Sequence, residues 1–189
     1  MKITVEVSGR HVHLSQAHLE RLFGKGHELT PLYPISQRGQ YATVETVDVQ
    51  HNDRVIKRMR IVGPVRAHSQ VELAQTDARN LGIDIPVRLS GNHARTPGVT
   101  MIGPRGRVKI TQGVLTPQRH IHASPERARK AGLKNGSIVS VKISGARAIT
   151  FHNVYVRTHP TYVWHCHVDT DEGNAAGAKR RITGILLKK

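Results

Sequence analysis

Cysteine is nearly absent from this chain of 189 residues: Cys166 stands alone, which excludes an internal disulfide framework and fits a reducing compartment. Aromatic residues make up 4%, so the cores must be aliphatic, and the interleaved stacking platforms of a dedicated single-strand nucleic-acid binder are missing. No apolar run approaches membrane-spanning length. The first residues, Met1-Lys2-Ile3-Thr4-Val5-Glu6-Val7, alternate like a strand where a signal peptide would be continuously apolar. Acidic residues are scarce as well, with 13 Asp and Glu against 29 Lys and Arg. The resulting formal charge of +16 must attract polyanions, whether nucleic acids, nucleotide cofactors or phosphorylated metabolites. The basic residues are scattered, with only short clusters at Arg54–Arg60, Arg127–Lys130 and Lys179–Arg181, so charge points to an anionic ligand without naming it. The length suits one large domain or two small ones, each able to bury its own core.

Histidine, by contrast, is plentiful, and its arrangement is ordered. Arg10-His11-Val12-His13-Leu14-Ser15 recurs as Arg119-His120-Ile121-His122-Ala123-Ser124, and Trp164-His165-Cys166-His167 repeats the His-x-His spacing a third time. In an extended segment, side chains two apart share a face. Each histidine pair can therefore reach one metal ion while the apolar residue between them turns into a core. A lone His-x-His is also what a half-exposed strand with two histidines would show, but Arg and Ser at the same offsets argue against coincidence.

The rest of the chain reads as mainly β with short helices. Alternating or β-branched runs stand at Ile3–Val7, Ala42–Val49, Val55–Val62, Val99–Ile102, Arg107–Ile110, Ser137–Ile143 and Thr150–Val156, several of them bounded by glycine turns. Helices are expected over Ser15–Phe23, stopped at Gly24, and over Ser124–Gly132, which has an N-cap serine, proline at the first helical position and a closing glycine. A third is expected over Thr76–Gly82. The stretch Thr76–Gly91 can be laid over Ser124–Gly145, each a short helix, a glycine and then a strand, which favours two related small β-barrels with short capping helices.

With these motifs in order along nearly the whole chain, the sequence resembles the PduL-type phosphotransacylases, also called phosphate propanoyltransferases. The resemblance rests on Val7–Ser15, on Leu29-Thr30-Pro31-Leu32 with Ser36–Gln40, and on Gly63-Pro64-Val65-Arg66 with Gln70-Val71-Glu72. It continues through Asp77–Gly82, Pro97–Thr100, Arg119–His122, and His167–Glu172 running into Asn174–Gly177.

That resemblance implies an enzyme that interconverts a short-chain acyl-CoA and phosphate with an acyl phosphate and CoA, using two zinc ions per chain. One zinc would take His11, His13 and Glu72, leaving a position for the CoA sulfur, and the other His120, His122 and His167. The resemblance also assigns Arg66 to phosphate, and CoA contacts to Ser8, Arg60, Val62 and Asn174. It divides the chain into one barrel from residues 1–9 plus 118–189 and another from 10–117, with the active site between them. Members are commonly homodimers. Two departures stand out: Tyr33-Pro34 follows Thr30-Pro31-Leu32 where the family usually has a lysine on the CoA side, and the net charge is unusually positive. The first shared strand begins within four residues of Met1, so no N-terminal extension of the kind that routes some members into bacterial microcompartments is seen. The reading expects a free cytoplasmic enzyme without specific nucleic-acid or membrane partners.

Elementary chemistry supports the residue types. Imidazole nitrogen and carboxylate oxygen are good zinc ligands, and three protein ligands leave one position open, as catalytic zinc requires. The planar fork of Arg66 suits bidentate contact with a phosphoryl group. His18, His27, His51, His68, His93, His152 and His159 lack a repeated partner and read as solvated or hydrogen-bonded side chains. His165 and Cys166 read as lining residues, with the cysteine directed opposite to its neighbours, and Asp169, Asp171 and Glu172 as caps of a following helix more than as orienters of histidine. Two other functions fit parts of the sequence: a small basic RNA-binding protein with structural histidines, and a single-zinc hydrolase of thioesters or acyl phosphates.

Overall fold

The structure, a computed structural model, describes residues 1–187. Along the chain run β1 (Lys2–Val7), β2 (His11–His13), α1 (Gln16–Phe23), β3 (Pro31–Pro34), β4 (Tyr41–His51), β5 (Arg54–Gly63), β6 (Gln70–Glu72) and α2 (Gln75–Leu81). Then come β7 (Val87–Arg88), β8 (Thr100–Ile102), β9 (Arg107–Lys109), β10 (Val114–Pro117), β11 (His120–Ala123), α3 (Pro125–Lys130), β12 (Ile138–Ile143), β13 (Ile149–Thr158), β14 (His165–Val168), α4 (Thr170–Ala175) and β15 (Arg181–Leu187). No helix is long and apolar enough to cross a membrane.

The chain forms two compact units, one from Met1–Gly9, Ser36–Arg38 and residues from Gln118 on, the other from Arg10–Ile35 and Gly39–Pro117. The boundaries drawn from sequence differ from this at Ser36–Arg38. The reason is local: the buried Gln37 accepts the Val163 N–H at 3.0 Å and donates to the Val163 carbonyl at 3.4 Å, so its amide pairs with a peptide group of the first unit.

The first unit is a closed barrel in the order β1-β14-β11-β13-β12-β15, with β15 pairing back on β1. Period-two alternation sends Ile3, Val5, Ile121, Val141, Val156, Cys166 and Val168 into its core and leaves the histidines of β11 and β14 on the other face. The second unit is a nine-stranded half-barrel sheet, ordered β7-β10-β6-β2-β5-β4-β8-β9 with β3 on β4. Its core gathers Val12, Leu14, Leu19, Leu22, Ile61, Val71 and Met101.

The two serine caps form as expected: Ser15 accepts the His18 N–H at 3.4 Å and Ser124 the Arg127 N–H at 3.1 Å. Pro125 stands in the first turn of α3. The third helix differs from the expected Thr76 start: α2 begins at Gln75 after Ala74, and no side chain caps it. Its acidic first-turn residue, Asp77, supplies the favourable charge at that end instead.

Gly98 is required by close approach, since a Cβ there would run into the carbonyl oxygen of Ile110. Backbone cannot yield as a flexible side chain would. Gly98→Ala is therefore expected to cost about 3 kcal/mol, lowering Tm by roughly 6–12 °C for a chain of this size. Calorimetry showing a Tm within a degree of the wild type would refute this account of the packing.

Candidate active site and metal centres

The centre in the half-barrel is built by strand register. β2 runs antiparallel to β6, placing His11 opposite Glu72, Val12 opposite Val71 and His13 opposite Gln70. The two valines are fully buried in the core, so the residues on either side of them share the opposite face. His11 Nε2 and His13 Nε2 stand 3.2 Å apart, and His11 Nε2 lies 3.5 Å from Glu72 Oε2. Ligand atoms of the three residues all fall within 4.8 Å of one another. Nitrogens bound tetrahedrally at about 2.0–2.1 Å would sit about 3.3 Å apart, so the set fits a divalent ion such as zinc with little movement.

Tautomer and charge agree with that fit. His13 Nδ1–H donates to the Val62 carbonyl at 3.0 Å, which directs the Nε2 lone pair toward His11. Burial, reinforced by His11 and Arg66, holds the His13 pKa well below its usual value, so the ring is a neutral ligand. Burial alone would raise Glu72, but His11, a hydrogen bond from Ser90 and Arg66 bring it down to about 2, and it is a carboxylate at any working pH. Arg66 thus stands close enough to act on both groups. Its backbone N–H donates to the Leu14 carbonyl at 2.8 Å, just beyond the His-x-His strand.

In the barrel, the same pattern recurs on the outer face. β11 is antiparallel to β14, with His120 opposite His167, Ile121 opposite Cys166 and His122 opposite His165. Ring centroids of His120, His122 and His167 are 4.6, 4.9 and 5.3 Å apart pairwise. His120 Nδ1–H donates to the Gln118 carbonyl at 2.8 Å, and Tyr162 lies against His122 at 4.0 Å between rings. Next to His167 in register is Glu6 of β1, whose Oε2 is 3.8 Å from His167 Nδ1 while Arg181 grips Oε1 with two N–H groups at 2.8 and 3.0 Å. The amide nitrogen of Gln37 lies 3.3 Å from His167 Nε2.

The arginine opening each hexapeptide has an equivalent place. Arg10 pairs with Asp77 at 2.7 Å and Arg119 with Glu172 at 2.7 Å, each acid lying in the first turn of the helix that follows the strand carrying Glu72 or His167. Each cluster is thus a His-x-His strand, a second strand bringing one candidate ligand opposite the first histidine, and an Arg–carboxylate pair that ties the ends.

Comparison with known proteins gives the family. The family model described as phosphate propanoyltransferase matches residues 4–179. The chain belongs to the phosphate propanoyltransferase family. The phosphate propanoyltransferase of Listeria monocytogenes is 42% identical over 187 residues, covering 99% of this chain and 88% of that protein. Those of Thermotoga maritima and Salmonella typhimurium are 47% and 44% identical, covering 92% and 93% of this chain and 83% and 84% of theirs. As a member of this family the chain is an acyltransferase.

The other residues marked from sequence fall as follows. Val62 is buried and contributes the carbonyl that orients His13; Arg60 donates to the Thr43 and Val44 carbonyls at 2.8 and 2.9 Å. The Ser8 N–H donates to the Val168 carbonyl, and Asn174 is exposed on α4. Tyr33 is exposed on β3. Cys166 lies in the barrel core, and burial pushes its thiol up, so it is no thiolate nucleophile. Asp169 and Glu172 form a capping box on α4, in accord with the capping role. His18 and His27 bond Ser69 and Glu45, and His152 and His159 bond Ser140 and Thr161. Sequence reasoning missed Glu6, Gln37, Gln70 and Ser90 as neighbours of the ligand sets. Only the Gln70-x-Glu72 spacing, which matches strand alternation, hinted at one of them.

Burial and the Asp169 carboxylate push Glu172 up to about 6, outweighing the pull of Arg119. A carboxyl with a raised folded pKa contributes stability that is fully present below its unfolded pKa, near 4.5, and is lost as pH rises through the folded one. Glu172→Gln, which mimics the protonated form, is expected to match the wild type at pH 4.5 and to gain up to about 2 kcal/mol on it by pH 7. Denaturant melts at both pH values check this; an equal difference between the two proteins at each would remove Glu172 from the pH dependence.

Proposed function

We propose that this enzyme interconverts a short-chain acyl-CoA and inorganic phosphate with the acyl phosphate and free CoA, holding one zinc at His11, His13 and Glu72 and a second at His120, His122 and His167. The observation that carries the reading is the convergence of His11, His13 and Glu72 on one point, with the two Nε2 atoms 3.2 Å apart and Arg66 close enough to perturb His13 and Glu72. Zinc held by three protein ligands keeps an open position and supplies Lewis acidity, which holds a thiol as thiolate near neutral pH or polarises a thioester carbonyl.

The chain's own residues then have defined tasks. In the forward direction a phosphate oxygen attacks the thioester carbonyl carbon, the new C–O bond forms, the C–S bond breaks and CoA leaves as its thiolate. Arg66 binds the phosphate oxygens that do not react and directs the attacking one, converting an encounter of two solutes into a reaction between held partners. His13, fixed by the Val62 carbonyl and kept neutral, and Glu72, kept ionised, offer lone pairs without having to shed protons first. Glu6, gripped by Arg181, stands 3.8 Å from His167 Nδ1 and places a negative charge beside the barrel set.

Purified protein is expected to carry one zinc at each site and to release CoA from acetyl-, propanoyl- or butanoyl-CoA only when phosphate is present. The double change His11→Ala with His13→Ala is expected to remove half the zinc, and so is His120→Ala with His122→Ala. Full zinc by elemental analysis in both variants, or no phosphate-dependent release from zinc-replete protein, would defeat the reading. Arg66→Lys keeps the charge but loses the fork, so the KM for phosphate is expected to rise roughly tenfold or more while that for CoA stays near its wild-type value. The opposite split would move Arg66 to the nucleotide side.

A further inference from the structure

Gln70 is 2% exposed, sits opposite His13 in the β2–β6 pairing, and has every hydrogen-bonding position of its carboxamide in use. Its Nε2 donates to Glu72 Oε1 at 2.6 Å and to Ser90 Oγ at 2.9 Å. Its Oε1 accepts the Gly91 N–H at 2.8 Å and the His93 Nε2–H at 2.9 Å. These partners fix which way the amide faces: turned over, it would set its oxygen against the Glu72 carboxylate and its NH2 against the Gly91 N–H. Ser90 Oγ in turn accepts from the Arg66 guanidinium at 3.4 Å, and the same serine hydrogen-bonds the Glu72 carboxylate.

We infer that Gln70 is a positioning residue that, with Ser90, joins Glu72 to Arg66, so that the carboxylate in the metal centre and the guanidinium that takes phosphate are held by one buried amide. The inference rests on the metal-centre reading above. By occupying Glu72 Oε1, the amide leaves Oε2 on the side of His11, 3.5 Å from its Nε2, and gives the centre a single-oxygen ligand. By holding Ser90, it sets the hydroxyl against which Arg66 rests. Gln70 does not touch reacting atoms in this scheme; it acts through its neighbours.

The test uses the full-length protein stripped of metal and titrated with cobalt(II), read by visible absorption, beside steady-state kinetics of the zinc form. Gln70→Met keeps the length of the side chain and removes both donors and the acceptor. It is expected to bind one cobalt as tightly as the wild type, at the all-histidine set, and the other 10- to 100-fold more weakly, the usual scale for losing a group behind a metal ligand. Its KM for phosphate is expected to rise several-fold with little change in that for CoA. A role confined to the fold would lower Tm and leave the two cobalt affinities and the phosphate-to-CoA ratio of KM values unchanged, and that result overturns the proposal. Should Gln70→Met not fold, Ser90→Ala decides. It is expected to raise the KM for phosphate alone and to weaken cobalt less than the 10- to 100-fold expected of Gln70→Met; an unchanged phosphate KM overturns the link to Arg66. Wild-type protein that takes up no cobalt would instead bring down the metal-centre reading itself, which keeps the two failures apart.

Discussion

Antiparallel pairing in a fixed register is the constraint on which both centres depend. In each unit one apolar residue, Val12 or Ile121, is fully buried between two histidines, and its partner across the ladder, Val71 or Cys166, is buried with it. That central pair locks the alternation. Slipping either strand by one residue would turn the histidines into the core and the apolar residues outward, so the hydrophobic effect itself keeps each histidine pair on one face. The Arg10–Asp77 and Arg119–Glu172 pairs add a polar latch at the ends of the same strands.

Electrostatics then tunes what the register has placed. The chain has few carboxylates for its many cations, yet several stand at points of structural demand: Glu72 among the histidines, Glu6 beside His167, Asp77 and Glu172 against the motif arginines, Glu45 accepting from Thr30 and His27. Glu72 and Glu172 show how environment separates identical side chains. Glu72 is buried and Glu172 half-buried, yet the first is held near 2 by the donating and charged groups around it, while the second, desolvated beside another carboxylate, is pushed up to about 6.

How much of this was legible in the sequence follows from the range of each interaction. The His-x-His pairs, the serine caps at Ser15 and Ser124 and the long strands β4, β5, β12 and β13 depend on neighbours a few residues away, and local pattern reveals them. The pairing of His11 with Glu72 or of His120 with His167 is a matter of tertiary register, visible beforehand only through family resemblance. Short strands with little alternation, such as β3 over Pro31–Pro34 and β10 over Val114–Pro117, carry no signal of their own because their partners decide them. Glu6, Gln37 and Gln70 look like ordinary strand or loop residues until the fold brings His167, Val163 and Glu72 beside them. The start of α2 was misplaced for a related reason: no side chain caps that helix, so it begins where β6 releases the chain.

The two histidine clusters share a construction but differ first in the residue opposite the first histidine. Glu72 puts a carboxylate in the half-barrel set, whereas His167 leaves the barrel set with imidazoles alone. With a divalent ion, the first set would keep a formal charge of about +1 and the second about +2, since imidazole neutralises nothing and one carboxylate removes one unit. The second difference falls opposite the other histidine, where Gln70 stands in one unit and His165 in the other. A neutral amide with two donors is the residue type that can hold a carboxylate ligand in place without competing for the metal, and an all-histidine set has no carboxylate for it to hold. The two differences therefore fit one another: the half-barrel set, which has the carboxylate, also has the amide that hydrogen-bonds it.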